Sequence, residues 1–241
     1  DFLKSQGYVI TKEIWNDAEV KWGSYDLVIL KSPWDYFDLI EGFYTWLTKL
    51  ESQKIRLLNP IDIVKWNADK HYLQEIEKAG LKVTPSAFLV KGEQINLSSY
   101  FELFNTQQLI VKPCVSGGSK NTFKVTATNV EEITGMLSQL ILNEDFIVQP
   151  FLKEIEEHGE WSFLFFNGKF SHAILKKAKE GDFRVQASFG GTVHAKNAPL
   201  AYLNTAQLYV NQFSKDCLYA RVDGTIINGE FYLMELELIE P

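Results

Sequence analysis

RVDGTIINGEFYLMELELIEP, residues 221–241, sets Asp223, Glu235, Glu237 and Glu240 around a single Asn228-Gly229 turn. Apolar and polar residues alternate on both sides of the turn, the pattern of a β-hairpin with one buried face. Alternation alone leaves two readings open: carboxylates facing solvent, or carboxylates aimed at a cation. Glu235 and Glu237 are two apart, so they share a face. A two-residue turn would pair Asp223 with Met234 and point it away from them. A three-residue loop, Ile227-Asn228-Gly229 with Gly229 left-handed in a G1 bulge, puts all three acids on one side. We expect that loop, and with it a mutual repulsion that raises at least one carboxylate pKa.

Upstream of the hairpin the pattern is α/β. FLKSQGYVI reads as the end of a helix and a strand, YDLVIL as an apolar strand, residues 38–50 as an amphipathic helix, and IRLLNP as a strand stopped by Pro60. That βαβ order favours a parallel sheet. NADKHYLQEIEKAG follows, with Asn67 placed to cap a helix, Leu73 and Ile76 on one face, and Gly80 as a stop. Strands are then expected in VTPSAFLV, QLIVKPCV, NTFKVTA, FIVQPF, EWSFLFF and FSHAILKK, with helices near 130–142 and 201–215. The expected division is 1–62, an α/β unit; 63–148, a mixed unit; and 149–241, a β-rich unit, within an α/β chain of α+β subdomains.

The 241 residues carry a formal net charge of -7, which excludes a general binder of nucleic acid or anionic membrane. Two cysteines without a CxxC motif, and no histidine pair at helical spacing, support neither a disulfide framework nor a zinc site. A reducing, cytoplasmic setting fits best. No apolar run reaches the length of a membrane span, and no signal peptide is expected. The chain begins at Asp1 without a methionine, so both ends read as trimmed.

Three stretches could bind a polyanion. In LIVKPCVSGGSK, Lys112 ends an apolar strand just before Gly117 and Gly118, where a loop can bring backbone N–H groups to phosphate oxygens. In FIVQPFLKEIEEHGEW, the Gln149-Pro150 break should interrupt the ladder and free backbone groups for a base edge, and Glu160 could take a ribose hydroxyl. In GDFRVQASFGG, Arg184 can clamp phosphate and Gln186 can meet substrate or nucleotide, with Lys176 pointing into the same cleft. Each stretch taken alone also fits an ordinary surface loop.

Taken in order, Lys70, Lys112 with its glycine-rich loop, Gln149-Pro150, Glu160, Arg184, Gln186, Gly190-Gly191, Asp223 and Glu235-x-Glu237 resemble the ATP-grasp ligases, among them glutathione synthetase and D-alanine-D-alanine ligase. SPWDYFD and ELELIEP are similar to a smaller subgroup that includes the cyclo-ligase closing the ring of cycloserine. The resemblance implies an ATP-grasp fold behind a Rossmann-like pre-ATP-grasp domain. It implies that Lys70 and Lys112 hold phosphates, that the hinge Gln149, Pro150, Phe151 and Leu152 reads adenine through its backbone, and that Glu160 binds ribose. Asp223, Glu235 and Glu237 would carry two Mg²⁺ ions, although the family usually has Asn where this chain has Glu237. Lys176 and Arg184 would be the catalytic cations. The implied activity is ATP-dependent ligation of a small carboxylate, such as an amino acid, to a nitrogen nucleophile. A kinase or a non-catalytic ATP-binding module are the alternatives, and an oligomer is compatible with the sequence.

Overall fold

The structure, a computed structural model, describes residues 2–179, 181, 182 and 184–240. In chain order its elements are α1 (Phe2–Ser5), β1 (Leu27–Ile29), α2 (Ile40–Ser52), β2 (Arg56–Leu58), α3 (Ile61–Asn67), α4 (Tyr72–Lys78), β3 (Ala87–Leu89), α5 (Ser98–Leu103), β4 (Gln108–Pro113) and β5 (Phe123–Thr126). They continue with α6 (Val130–Leu140), β6 (Phe146–Pro150), α7 (Lys153–His158), β7 (Glu160–Phe166), β8 (Lys169–Lys177), β9 (Thr192–Ala195), α8 (Leu200–Phe213), β10 (Tyr219–Ile227) and β11 (Glu230–Glu237).

Three sheets form. β1 and β2 pair in parallel; β3-β6-β4-β5 are antiparallel; and β11-β10-β7-β8-β9 make the largest sheet. Each has its own apolar core. Phe43, Trp46, Leu47 and Leu50 of α2 fall at helical spacing and pack with Trp15, Trp22 and Leu57 in the first. Leu109, Val111, Val125, Leu137 and Val148 fill the second. In the third, Phe163, Val222, Phe231, Leu233 and Leu236 lie beneath Tyr209 and Val210 of α8 and Tyr72, Leu73 and Ile76 of α4. With α8 and α4 on one face of that sheet, the opposite face carries its charged residues, together with Leu164 and Ile174.

The hairpin reaches its expected outcome by a different route. Asn228 and Gly229 both have positive φ, 52° and 81°, and Ile227 pairs with Glu230, so the loop has two residues rather than three. A bulge restores the register: Gly224 pairs with Leu233 while Asp223 pairs with Glu235, leaving Met234 as the extra residue. Gly224 is required there, because a Cβ would lie 2.3 Å from the Tyr232 carbonyl oxygen and 2.4 Å from Phe231 Cζ.

Three other expectations are corrected. Tyr8 and Val9 form no strand and are exposed. Asn67 does not cap a helix; it ends α3, and its amide donates to Leu236 O at 2.6 Å and accepts from Leu238 N at 2.9 Å. The ladder also runs on through Pro150, which pairs with Leu109, and Phe151 N–H donates to Gln108 O at 2.9 Å.

Asn59 and Tyr219 join the first unit to the large sheet. Fully buried Asn59 donates to Tyr219 O (3.0 Å) and Leu238 O (2.7 Å) and accepts from Leu218 N (2.7 Å). Tyr219 Oη donates to Leu30 O (2.8 Å) and Ile239 O (3.0 Å). Along the outer edge of β11, Thr84 N donates to Leu233 O (2.8 Å) and Leu233 N donates to Lys82 O (3.0 Å), which covers that edge. Gly224→Ala should destabilise the protein by about 1–3 kcal/mol through overpacking against backbone. Urea denaturation checks this, and a midpoint equal to that of the parent would contradict the bulge.

Candidate active site

The face of the large sheet away from α8 carries a row of alternating acids and bases. The register pairs Glu160 with Lys176, Ser162 with Asp223, Asp223 with Glu235, and Arg221 with Glu237. Residues two apart on β10 and β11 share this face, which brings Arg221 beside Asp223 and Glu235 beside Glu237. Lys176 Nζ lies 3.0 Å from Glu160 and 3.5 Å from Asp223. Arg221 Nε donates to Asp223 at 2.8 Å, and its Nη2 lies 3.9 Å from Glu237.

Above the row, the segment between α3 and α4 brings in buried Lys70. Its ammonium donates to Ser116 O at 2.8 Å and lies 3.4 Å from Glu235. Lys112, at the end of β4, is partly buried, and no ion pair or hydrogen bond to its ammonium is found among the described residues. Burial lowers its pKa, and neighbouring Lys70 lowers it further, against the pull of Glu235 and Glu160. Such a group stands ready for an anion.

The acids divide according to their neighbours. Burial opposes ionisation of Asp223, but Arg221 and Lys176 outweigh it and hold the carboxyl below its usual range. Lys70 and Lys112 do the same for Glu235 against its burial. Glu237 is raised instead, chiefly by burial, with Arg221 opposing and Glu235 reinforcing; its Oε1 accepts from Ile239 N and Glu240 N. One carboxylate is thus raised, as repulsion predicts, yet burial is the larger cause, and interleaved cations rather than bare repulsion govern Asp223 and Glu235. Burial, then Glu237 and Glu235, push Glu240 up to about 8, and its Oε2 is buried with no hydrogen-bond partner among the described residues.

The glycine-rich loop sits against this row and against the first unit. A Cβ on Gly117 would fall 2.5 Å from Phe37 and 3.2 Å from Glu240, whereas Gly118 is open with φ +57°. Lys120 pairs with Asp38 across the same junction. Of the hinge, Gln149 is buried and bonds Ser86 Oγ at 2.9 Å, Phe151 lies under the Lys124 ammonium at 3.7 Å, and Leu152 precedes α7. Leu152 N–H has no partner among the described residues, unlike that of Phe151.

Arg184 forms a two-pronged pair with Asp182 (3.0 and 2.8 Å) and lies 3.7 Å over Phe189. Gln186 is exposed, while its carbonyl accepts from Phe189 N and Gly191 N. Gly191 has no room for a side chain, since a Cβ would lie 2.1 Å from Val185 O. Sequence reasoning missed Arg221, whose i, i+2 relation to Asp223 was the available signal. A cleft of about 590 Å³ beside Trp15, Trp22 and α2 lies apart from this row, and the site is located by its charges rather than by cavity size.

Residues 75–238 match the model of the prokaryotic glutathione synthetase ATP-grasp domain, more than half of the chain. The chain belongs to this ATP-grasp family. Residues 1–59 match the amino-terminal domain of the D-cycloserine synthetase DcsG. The cycloserine biosynthesis protein DcsG of Streptomyces lavendulae is 28% identical over 176 residues, which cover 70% of this chain and 58% of that protein. The chain therefore spans little more than half the length of this curated relative. The crystal structure of D-cycloserine synthetase DcsG superposes with a TM-score of 0.83 at 25% identity, covering 94% of this chain and 80% of the other. D-alanine-D-alanine ligase from Bacillus anthracis, complexed with ATP, shares the fold at 19% identity and a TM-score of 0.67, covering 90% of this chain and 69% of that one. Among the described residues no helix is long and apolar enough to cross a membrane.

A raised carboxyl pKa opposes folding as pH rises from the unfolded value to the folded one. For Glu240 that window runs from 4.5 to about 8. Glu240→Gln should therefore leave metal-free stability unchanged near pH 4.5 and raise it above pH 8, by on the order of 1–3 kcal/mol after solvent screening. Thermal melts across that range in chelator check the sign.

Proposed function

We propose that the chain is an ATP- and Mg²⁺-dependent ligase that activates a carboxylate, or a related acyl group, for attack by a nitrogen nucleophile. The observation that carries this reading is the partly buried Lys112 ammonium, unpaired among the described residues, beside Lys70 and near Glu235 and Glu160 of the carboxylate row. One carboxylate oxygen of the substrate would attack the γ-phosphorus of ATP and release ADP. The nitrogen would then attack the acyl carbon and expel phosphate. Catalysis of this kind consists of positioning and charge neutralisation, and the rings of His172 and His194 bond Ser171 and Thr192.

The residues fit the cations that such a reaction requires. Asp223, Glu235 and Glu237 offer hard oxygen donors from adjacent strands, the donor type suited to Mg²⁺. Two ions would neutralise phosphate charge when bound. Arg221, Lys176 and Lys70 neutralise the same acids in the present structure. Lys70, Lys112 and the Gly117-Gly118 backbone would hold phosphates. Leu152 N–H is the hinge group best suited to adenine, within the stretch Gln149 to Leu152, and Glu160 would receive ribose once Lys176 turns to substrate. Arg184 would meet phosphate, and Gln186 substrate or nucleotide.

The parallel β1-β2 pair supports reading residues 1–62 as a Rossmann-like pre-ATP-grasp domain. The separately cored β3-β6-β4-β5 sheet supports a lid within 63–148, and 149–241 would carry the metal. The substrate class is a small carboxylate such as an amino acid. The buried free thiols of Cys114 and Cys217 suit a cytoplasmic setting.

Lys112→Ala should weaken ATP binding by roughly ten- to hundredfold, from the loss of a charge-assisted contact of about 1.5–3 kcal/mol. Titration calorimetry with Mg-ATP reads this, and unchanged affinity would remove Lys112 from the site. Glu235→Gln should abolish ADP release in the presence of an acid and an amine. It should also lower rather than spare apo stability, because Glu235 is held ionised by two lysines. ADP release that requires no acid, or that yields a phosphorylated alcohol, would replace the ligase reading with an ATPase or a kinase.

A further inference from the structure

We propose that Asp69, His71 and Cys114 form a second cation site, suited to a borderline-soft transition ion of the zinc type and separate from the carboxylate row. One ligand atom from each of the three lies within 4.8 Å of the others. Tetrahedral zinc, with bonds of about 2.0–2.3 Å, spaces its ligands by about 3.3–3.8 Å. Binding therefore needs the widest of these separations to shorten by up to about an ångström and the 2.7 Å hydrogen bond between Asp69 Oδ1 and His71 Nδ1 to give way to the ion.

The three groups are already held in place. Asp69 Oδ1 accepts from His71 N (2.9 Å) and bonds His71 Nδ1 (2.7 Å), while Oδ2 has no hydrogen bond among the described residues. The His71 ring stacks on Phe88 with centroids 4.4 Å apart. Cys114 is buried, and its backbone accepts from Lys70 N (3.0 Å) and donates to Asp145 O (2.9 Å). Asp69 and His71 are partly open to solvent, which provides an entry path and room for a water as fourth ligand.

Sulfur, nitrogen and oxygen donors together select zinc over magnesium, which takes oxygen alone. Charges around the sulfur are mixed. Asp69 and Asp145 favour a cation there, and Lys70 and Lys112 oppose one. Burial and the two carboxylates keep the thiol protonated, so the ion enters by forming an S–metal bond as the S–H proton leaves for solvent. Asp69 and His71 flank Lys70, and Cys114 lies two residues beyond Lys112. An ion here would tie together the two segments that carry the lysines.

The test is a Co²⁺ titration of the whole chain, reduced and in excess Mg²⁺ to occupy the carboxylate row. A thiolate-to-cobalt charge-transfer band should appear, saturate at about one ion per chain and disappear on adding Zn²⁺. It should be absent in Cys114→Ser, require at least about tenfold more Co²⁺ in His71→Gln, and persist in Glu235→Gln. No band, a band that survives Cys114→Ser, or one lost in Glu235→Gln would overturn the site. If Cys114→Ser fails to fold, the half-exposed His71→Gln decides: an unshifted titration refutes the proposal.

Discussion

A carboxylate taken out of water must meet a cation or give up its charge. The organisation of the large sheet follows from this constraint. Asp223 is buried, so Arg221 and Lys176 surround it; Glu235 is half-buried, so Lys70 and Lys112 are brought in from two other segments. Where cationic support thins, at Glu237 and Glu240, the carboxyls shift toward the neutral form. The row is thus graded: charge is most secure at Asp223 and Glu235, each held by two cations, and less secure at Glu237, at Glu240 and at Glu160, where burial outweighs the contact with Lys176.

The grading depends on backbone placement. A two-residue turn alone would turn Asp223 away from Glu235; the Met234 bulge, permitted by Gly224, turns it back. Asn59, Asn67, Tyr72 and Tyr219 then fix the strand's far end through buried hydrogen bonds. Polar groups buried in this way specify one arrangement, since any slip would leave donors and acceptors unmatched.

Much of this is legible in the sequence. The apolar periods of α2, β4, β6 and β7 announce themselves, as do the i, i+2 acids of β11 and the lysine before two glycines. The turn misleads because Asn-Gly serves two- and three-residue loops alike, and because apolar Met234 blurs the change of phase from Phe231 and Leu233 to Leu236 and Leu238 that the bulge produces. Asn67 looks like a cap because sequence shows only its chain neighbours, whereas its partners at Leu236 and Leu238 are distant in the chain. Arg221 passes for strand alternation on the same ground. Likewise, Asp69 and His71 lie far from Cys114 in sequence, so spacing could not reveal their proximity.

Ile239 packs in the core of the first unit, alongside Trp15 and Trp46, and its carbonyl receives the Tyr219 hydroxyl. That core is therefore unfinished until a segment made far later has arrived. During vectorial synthesis the early helix and its tryptophans must wait, partly uncovered, while the rest of the chain emerges. Closing so long a loop is slow. The price is a nascent chain whose first unit, about a quarter of its length, exposes apolar surface until Ile239 arrives.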